Sequence, residues 1–111
     1  TAYEIVSRDW SSDVCSSDLG KVKLRVKFLL TSVNAYYFLP ATHGYGSSGV
    51  PDIVACINGR FVGIECKAGK GKTTPLQEKN LNAITQAGGL SIVVNEKNVD
   101  DLLLLLGVQN V

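Results

Sequence analysis

The spacing of apolar residues over residues 21–34 predicts a helix. Apolar side chains at 22, 26, 29, 30 and 33 recur at helical intervals. Residues 21–27 also alternate as a strand would, but the apolar run at 28–30 breaks that alternation and favours the helix. Residues 35–39 (AYYFL) are an aromatic run that ends at Pro40, which predicts a short strand. A polar, glycine-rich loop follows, up to residue 49.

Two apolar, β-branched runs at 50–57 and 60–67 predict a β-hairpin. Asn58-Gly59, which separates them, is the strongest short signal for a two-residue turn. The apolar side chains on one face are Ile53, Ala55, Ile57, Val62 and Ile64, and those on the other are Val54, Cys56 and Phe61. We therefore expect a central ribbon that is covered on both faces.

A second helix is predicted from residue 74 to about residue 87. Thr74 supplies an N-cap, Pro75 a first-turn proline and Gln77 a capping-box partner. Gly88-Gly89 ends the helix, residues 90–95 form a further strand, and residues 99–106 form a short leucine-rich helix. The order α-β-β-β-α-β, followed by this closing helix, predicts an α/β domain with a central mixed sheet flanked by helices.

The composition describes one globular domain. The chain has 111 residues, of which 45% are hydrophobic and 19% charged. Its longest apolar run, residues 102–106, is far shorter than the roughly 20 residues that span a bilayer. Three cysteines without CxxC spacing argue against a disulfide framework and a structural zinc site. We expect a non-secreted, cytoplasmic protein without membrane contact.

Residues 9–19 (DWSSDVCSSDL) differ from the remainder of the chain. They contain the near-repeat SSDV and SSDL, and neither helical nor strand periodicity organises their apolar members. The string also resembles the conceptual translation of a sequencing adapter. We therefore expect residues 1–19 to be non-native or disordered and residues 20–111 to form the single domain. A genuine serine- and aspartate-rich arm is the alternative.

The net charge of +1 conceals a basic stretch. Residues 20–82 contain nine Lys or Arg and three Asp or Glu, a local surplus of six positive charges. Such a stretch favours a polyanionic partner such as nucleic acid. A solvated lysine-rich surface is the alternative.

The hairpin turn predicts where its charged residues lie. If Ile57 faces Arg60, then Asp52 lies opposite Glu65, and opposed carboxylates on one face need a cation. Lys67 returns to the same face by strand periodicity. Hard oxygen ligands suit Mg²⁺ or Mn²⁺, and such a centre can hydrolyse a phosphodiester. Alternatively, the two acids are surface residues at a sheet end and Lys67 is their ion-pair partner.

Three motifs support a family resemblance. The motifs are GVPD at 49–52, ECK at 65–67 and LQ at 76–77. Glu65 follows Asp52 by thirteen positions. Together they resemble the virus-type replication-repair nuclease (VRR-NUC) domain of the PD-(D/E)xK superfamily, over residues 20 to about 96. The resemblance implies a restriction-endonuclease-like core and a phage-like, stand-alone, Mg²⁺- or Mn²⁺-dependent DNA endonuclease.

The resemblance also implies residue roles. Asp52 and Glu65 would ligate the metal, with the backbone carbonyl of Cys66 as a third ligand. Lys67 would position the water or neutralise the phosphate. Gln77 would lie near the site, although completing the capping box is an equal alternative and both roles can coexist.

One position departs from the family pattern. Members usually bring an acid from the start of the first helix towards the metal, and that place falls on Asp18 and Leu19, inside the suspect segment. The domain could therefore fold yet cleave poorly. Stand-alone members are implicated in cutting branched DNA such as Holliday junctions, usually as homodimers, so branched DNA and a second copy are implied partners.

Loop residues are the candidate DNA contacts. His43 could contact DNA or assist proton transfer, and Ser48 and Gly49 could donate to phosphate. Lys70 and Lys72 could contact the DNA backbone beside the cut. For each of them a solvated surface role is the alternative.

Two further features leave alternatives open. Residues 68–73 (AGKGKT) invite a phosphate-loop interpretation, but the pattern GxxxxGK[ST] requires glycine at position 66, which is Cys66. Tyr36 and Tyr37 alternate across their strand, so one should enter the core and the other could lie near the site.

Three functions follow in order of preference. The first is a Mg²⁺-dependent phosphodiesterase that acts on DNA. The second is a DNA-binding module of the same fold without a competent metal site. The third, a nucleotide-binding protein, predicts ATP affinity that is lost in Lys72→Ala.

Overall fold

The computed structural model describes residues 17–41 and 49–108. Its elements are α1 (Asp18–Ser32), β1 (Tyr36–Phe38), β2 (Ile53–Ile57), β3 (Arg60–Cys66), α2 (Pro75–Gln86), β4 (Leu90–Val94), a 3₁₀ turn (Val99–Asp101) and α3 (Leu102–Leu105). The predicted order α-β-β-β-α-β is confirmed. The closing segment, expected as one helix, is instead split between the 3₁₀ turn and α3, because the Asp101 amide donates to the Asn98 carbonyl three residues before it.

The four strands form one mixed sheet in the order β1-β2-β3-β4. β1, β2 and β3 pair antiparallel, and β4 pairs parallel to β3 after the α2 crossover. The predicted fold class, an α/β domain with a central mixed sheet flanked by helices, is therefore confirmed.

The hairpin between β2 and β3 has the register that its turn predicts. Ile57 pairs with Arg60 and Ile53 with Ile64. Asn58 and Gly59 take φ values of +52° and +81°, which a type I′ turn requires at both central positions. The two turn residues were therefore sufficient to predict the hairpin register.

Apolar residues of α1, the sheet and the closing segment form the hydrophobic core on one side of the sheet, which we call the core face. Its buried members are Val22, Val26, Leu30, Ile53, Ala55, Ile57, Val62, Ile64, Cys66, Val94, Val99, Leu102 and Leu106. Tyr37 also turns to this side and packs against the core, whereas Tyr36 points the other way. The core face therefore supplies most of the hydrophobic stabilisation of the described domain.

Helix α2 covers only part of the opposite side, which we call the site face. A Cβ on Gly63 would come within 2.5 Å of Ile84 Cδ1, so α2 lies directly on β3. Cys56 and Phe61, nearer the hairpin turn, are exposed. The expected coverage of both faces is therefore wrong at the turn end, because α2 packs mainly along β3 and β4.

Helix α1 begins inside the segment that was expected to be foreign or disordered. Ser17 caps it by accepting a hydrogen bond from the Gly20 amide at 3.0 Å, and Leu19 packs against the core. The helix ends at Ser32, before the predicted residue 34, because Asn34 adopts a left-handed φ of +58°. Of the segment 1–19, the described part is residues 17–19, which form the cap and the first turn of α1.

Cys56 and Cys66 carry free thiols, and Cys15 lies outside the described residues. Within residues 17–41 and 49–108, no helix has the length and hydrophobicity needed to cross a bilayer.

Candidate active site

Asp52 and Glu65 lie opposite each other at the open end of the β2–β3 hairpin. The Asp52 amide donates to Glu65 Oε1 at 3.2 Å, and the Cys66 amide donates to Asp52 Oδ2 at 3.0 Å. Each carboxylate is thus held by a backbone amide of the neighbouring strand segment. The pair adopts the opposed arrangement that the hairpin register predicts.

Glu65 is buried to an extent that is rare for an acid. It retains 1% of its exposure, and its Oε2 atom has no hydrogen-bond partner among residues 17–41 and 49–108. Burial and then the adjacent Asp52 carboxyl raise the pKa of Glu65 from 4.5 to about 7, although the Lys67 ammonium opposes the rise. A buried carboxylate oxygen that receives no hydrogen bond from the described residues is suited to coordinate a cation.

Lys67 and Gln77 bring a fixed positive charge to this pair. Lys67 Nζ lies 3.9 Å from Glu65 Oε2 and donates to Gln77 Oε1 at 2.9 Å. The same Gln77 side-chain oxygen accepts a hydrogen bond from the Thr74 backbone amide at 2.9 Å. In return, Thr74 Oγ1 accepts a hydrogen bond from the Gln77 backbone amide at 3.2 Å. The predicted capping box is present, and the glutamine that completes it also holds the lysine.

The side chain of Cys66 is not part of this cluster. It lies on the core face with 2% exposure, and burial raises the pKa of its thiol to about 12. The thiol therefore stays protonated at neutral pH. Its amide is the part that reaches Asp52, and a ligand role for its carbonyl stays a prediction.

Among the described residues, no third acidic side chain lies with Asp52 and Glu65. In this part of the chain, no group of three His, Cys, Asp or Glu side chains is arranged to hold a metal. Asp18, at the position where the family pattern expects an acid, lines a separate pocket with Glu96 and Asp100. Two carboxylates, one of which has an Oε2 atom without a hydrogen-bond donor in the described part of the chain, nevertheless fit a small divalent cation that takes part of its coordination from water.

The loop between β3 and α2 carries Lys70 and Lys72, and both are exposed. The Gly69 amide in this loop donates to both carboxylate oxygens of Glu96, at 3.1 and 3.2 Å. In a phosphate loop, backbone amides at such positions donate to the bound phosphate, whereas here the Gly69 amide already donates to the Glu96 carboxylate. This contact weakens the nucleotide-binding alternative, and it joins residues 27 positions apart that no local sequence pattern connects.

Gly49 packs against the start of α2. Its φ is +85°, and a Cβ there would lie 2.8 Å from Leu76 Cγ. Its structural requirement for glycine is therefore clear, and its expected contact with DNA stays a prediction. His43 and Ser48 lie outside the described residues.

The basic residues divide between the two sides of the sheet. Four of them are on α1, which packs on the core face: Lys21, Lys23, Arg25 and Lys27. Arg25 also bonds Asp100 at 2.8 Å. The sequence surplus is therefore not one continuous surface, and Lys67 is the basic residue that lies beside the acid pair, 3.9 Å from Glu65 Oε2.

Comparison with known proteins concerns the fold. The sequence matches no protein-family model and no curated protein. The structure is similar to a solved structure described as a VRR_NUC domain, with a TM-score of 0.70, 23% sequence identity, and coverage of 80% of this chain and 97% of that chain. The chain has the VRR-NUC fold. The resemblance drawn from the GVPD and ECK motifs is confirmed at the level of this fold.

Proposed function

We propose that this domain is a metal-dependent nuclease that hydrolyses phosphodiester bonds of DNA. The observation that carries the proposal is the pair Asp52 and Glu65. One buried Glu65 oxygen has no hydrogen-bond donor among the described residues, and the Lys67 ammonium lies 3.9 Å from it. A buried acid with a strongly raised pKa in such a cluster is typical of a functional site. On the VRR-NUC fold, a nuclease is the activity that this cluster supports best.

The two carboxylates would hold Mg²⁺ or Mn²⁺, and the Cys66 carbonyl is the proposed third ligand. Such a cation supplies positive charge that lowers the pKa of water and offsets the charge of a phosphate. Asp52 and Glu65 keep opposed positions because each accepts a backbone hydrogen bond. Their relative positions are therefore set by the hairpin before any cation binds.

Lys67 is the proposed group for the phosphate itself. One of its three donors is used by Gln77, which leaves donors for a phosphate oxygen. A fixed ammonium placed where negative charge increases in the transition state lowers the barrier most when it is already oriented. Gln77 supplies that orientation from the first turn of α2.

DNA is the proposed partner, with Lys70 and Lys72 as contacts to its backbone. The sequence resemblance implies a preference for branched DNA such as a Holliday junction. It also implies that a homodimer binds this DNA, and we include both in the proposal. A four-way junction and a linear duplex of the same sequence separate the general activity from this preference.

The test is cleavage of both labelled DNAs with Mg²⁺ or Mn²⁺, together with calorimetric Mn²⁺ binding. Asp52→Asn and Glu65→Gln keep the shape of each side chain and should abolish cleavage and weaken Mn²⁺ binding. Asp101→Asn, a change in an exposed acid at the closing turn, is the matched control and should leave both unchanged. Absence of cleavage by the parent protein, with Mn²⁺ binding unaltered in Asp52→Asn, would overturn the nuclease proposal.

A second candidate is a DNA-binding module of the same fold that does not cleave. It is favoured by the missing third acid among the described residues. This module would bind DNA in a salt-dependent manner, show no cleavage with either metal, and keep its DNA affinity in Glu65→Gln. The same two assays therefore decide between the candidates.

A further inference from the structure

Three aromatic side chains form an exposed cluster on the site face. Tyr36 and Phe38 come from β1 and Phe61 from β3, and they retain 72%, 49% and 50% of their exposure. The register places Tyr36 beside Cys56 and Cys56 beside Phe61, and the rings of Tyr36 and Phe38 are 6.4 Å apart. We call Tyr36, Phe38, Cys56 and Phe61 the aromatic platform. Large exposed apolar clusters of this kind commonly mark binding surfaces.

The aromatic platform continues from the acid pair along the same face. Phe38 pairs with Val54, which is two residues from Asp52 and therefore about 7 Å along the strand. Tyr36 and Phe61 lie four residues from the acid pair, at about 13 Å. A strand whose phosphate lies at Glu65 would have its next nucleotides over these rings.

Helix α2 leaves this direction open. Ile84 lies on Gly63 and covers the site face over β3 and β4. Among the described residues, β1 and β2 carry no such cover at Tyr36 and Cys56, which are exposed. An extended ligand that reaches the acid pair from this side must cross the aromatic platform.

The chemistry of the platform selects the faces of bases over phosphates. None of its four residues carries a charge, so it cannot neutralise a backbone. Aromatic side chains stack on bases whose faces are accessible, which a continuous duplex does not provide. A second copy of this chain seated here would close the open side of the site, so the geometry favours nucleic acid as the occupant.

We infer that the aromatic platform stacks unpaired bases of a DNA strand adjacent to the phosphate held at Asp52 and Glu65. The inference rests on the proposed nuclease function and narrows its substrate to DNA with unpaired nucleotides next to the cut. Tyr36 and Phe38 bind the strand on β1, and Phe61 extends the surface on β3.

The first test measures binding in EDTA, so that it is independent of cleavage. Fluorescence anisotropy compares a single-stranded oligothymidylate with a blunt duplex. Tyr36→Ala and Phe61→Ala should each weaken single-strand binding roughly five-fold or more, while duplex binding changes less than about two-fold. Tyr36→Trp should restore single-strand binding, and Leu104→Ala, in a leucine that is 78% exposed on α3, is the matched control without effect.

The second test uses the Cys56 thiol as a reporter in a Cys15→Ser background. Alkylation by a maleimide should be slowed by the oligothymidylate and not by the blunt duplex, while buried Cys66 serves as the unreactive reference. Equal protection by both DNAs, or unchanged single-strand affinity in Tyr36→Ala and Phe61→Ala, would overturn the inference. So would sedimentation that shows a dimer lost in Tyr36→Ala, because the platform would then belong to a second copy. A protein that binds single strands through the platform but never cleaves would instead remove the proposed nuclease function alone.

Discussion

Gln77 accepts hydrogen bonds from both the Lys67 ammonium and the Thr74 amide, each at 2.9 Å. The glutamine that completes the capping box of α2 is therefore the residue that orients the lysine of the site. Helix initiation and the placement of a positive charge depend on the same side-chain oxygen. Two substitutions can separate these roles.

Gln77→Ala should lower both stability and activity. Loss of a capping interaction costs about 1 kcal/mol, and Lys67 loses its acceptor. Thr74→Ala removes the other half of the capping box but leaves the Thr74 amide and Gln77 Oε1 in place, so it should lower stability without a matching fall in kcat. Urea unfolding and single-turnover cleavage measure the two effects. Equal kcat losses in both variants would show that Gln77 acts only through the helix.

Glu65→Gln should stabilise the metal-free protein most at high pH. The folded pKa of about 7 lies above the unfolded value of 4.5, so the charged carboxylate destabilises the fold progressively as pH rises between these values and fully above them. The gain should be on the order of 3 kcal/mol at pH 8 and small at pH 4.5. Urea unfolding in EDTA at both pH values provides the measurement, with Asp101→Asn as the control. A gain that does not change with pH contradicts the burial argument.

Gly63→Ala should destabilise the packing of α2 on β3. The new Cβ would lie 2.5 Å from Ile84 Cδ1 and 3.0 Å from Pro51 Cγ, and overpacking of this kind costs about 1–3 kcal/mol. Ile84→Val removes the Cδ1 atom, so the double variant should recover part of the loss. A double-mutant cycle of unfolding free energies measures the coupling. Strictly additive losses would mean that the two side chains do not meet.

Lys70→Ala and Lys72→Ala should weaken DNA binding more at low salt than at high salt. Each phosphate contact that is lost should reduce the slope of log affinity against log salt by roughly 1. Lys97→Ala, in an exposed lysine of the turn after β4, is the control with an unchanged slope. Anisotropy titrations from low to moderate salt measure the slopes, and parallel lines for all variants would exclude the loop from the DNA contact.

Local patterns predicted much of the fold because local physics determined it. Asn58-Gly59 set the hairpin register through two positive φ angles, and the register then placed Asp52 against Glu65. Thr74, Pro75 and Gln77 predicted the start of α2 through capping and the first-turn proline. Each of these features depends on residues that are neighbours in sequence or across one turn.

Tertiary contacts produced the features that the sequence did not predict. The link from Glu96 to the Gly69 amide joins two loops without a periodic signal. The exposure of Cys56 and Phe61 depends on how far α2 reaches across the sheet, which strand periodicity does not encode. The start of α1 depends on Ser17, in a segment whose composition indicated no helix.

Strand β3 carries two sets of side chains in alternation. Val62, Ile64 and Cys66 are buried in the core, whereas Glu65, together with Lys67 just after the strand, belongs to the acid cluster on the opposite side. Loss or gain of one codon within this strand would exchange the two sets, sending the charged side chains into the core. An insertion or deletion of one residue in β3 would therefore lower the stability of the domain and disrupt the acid cluster at the same time. We expect the length of β3 to be constant among functional homologues.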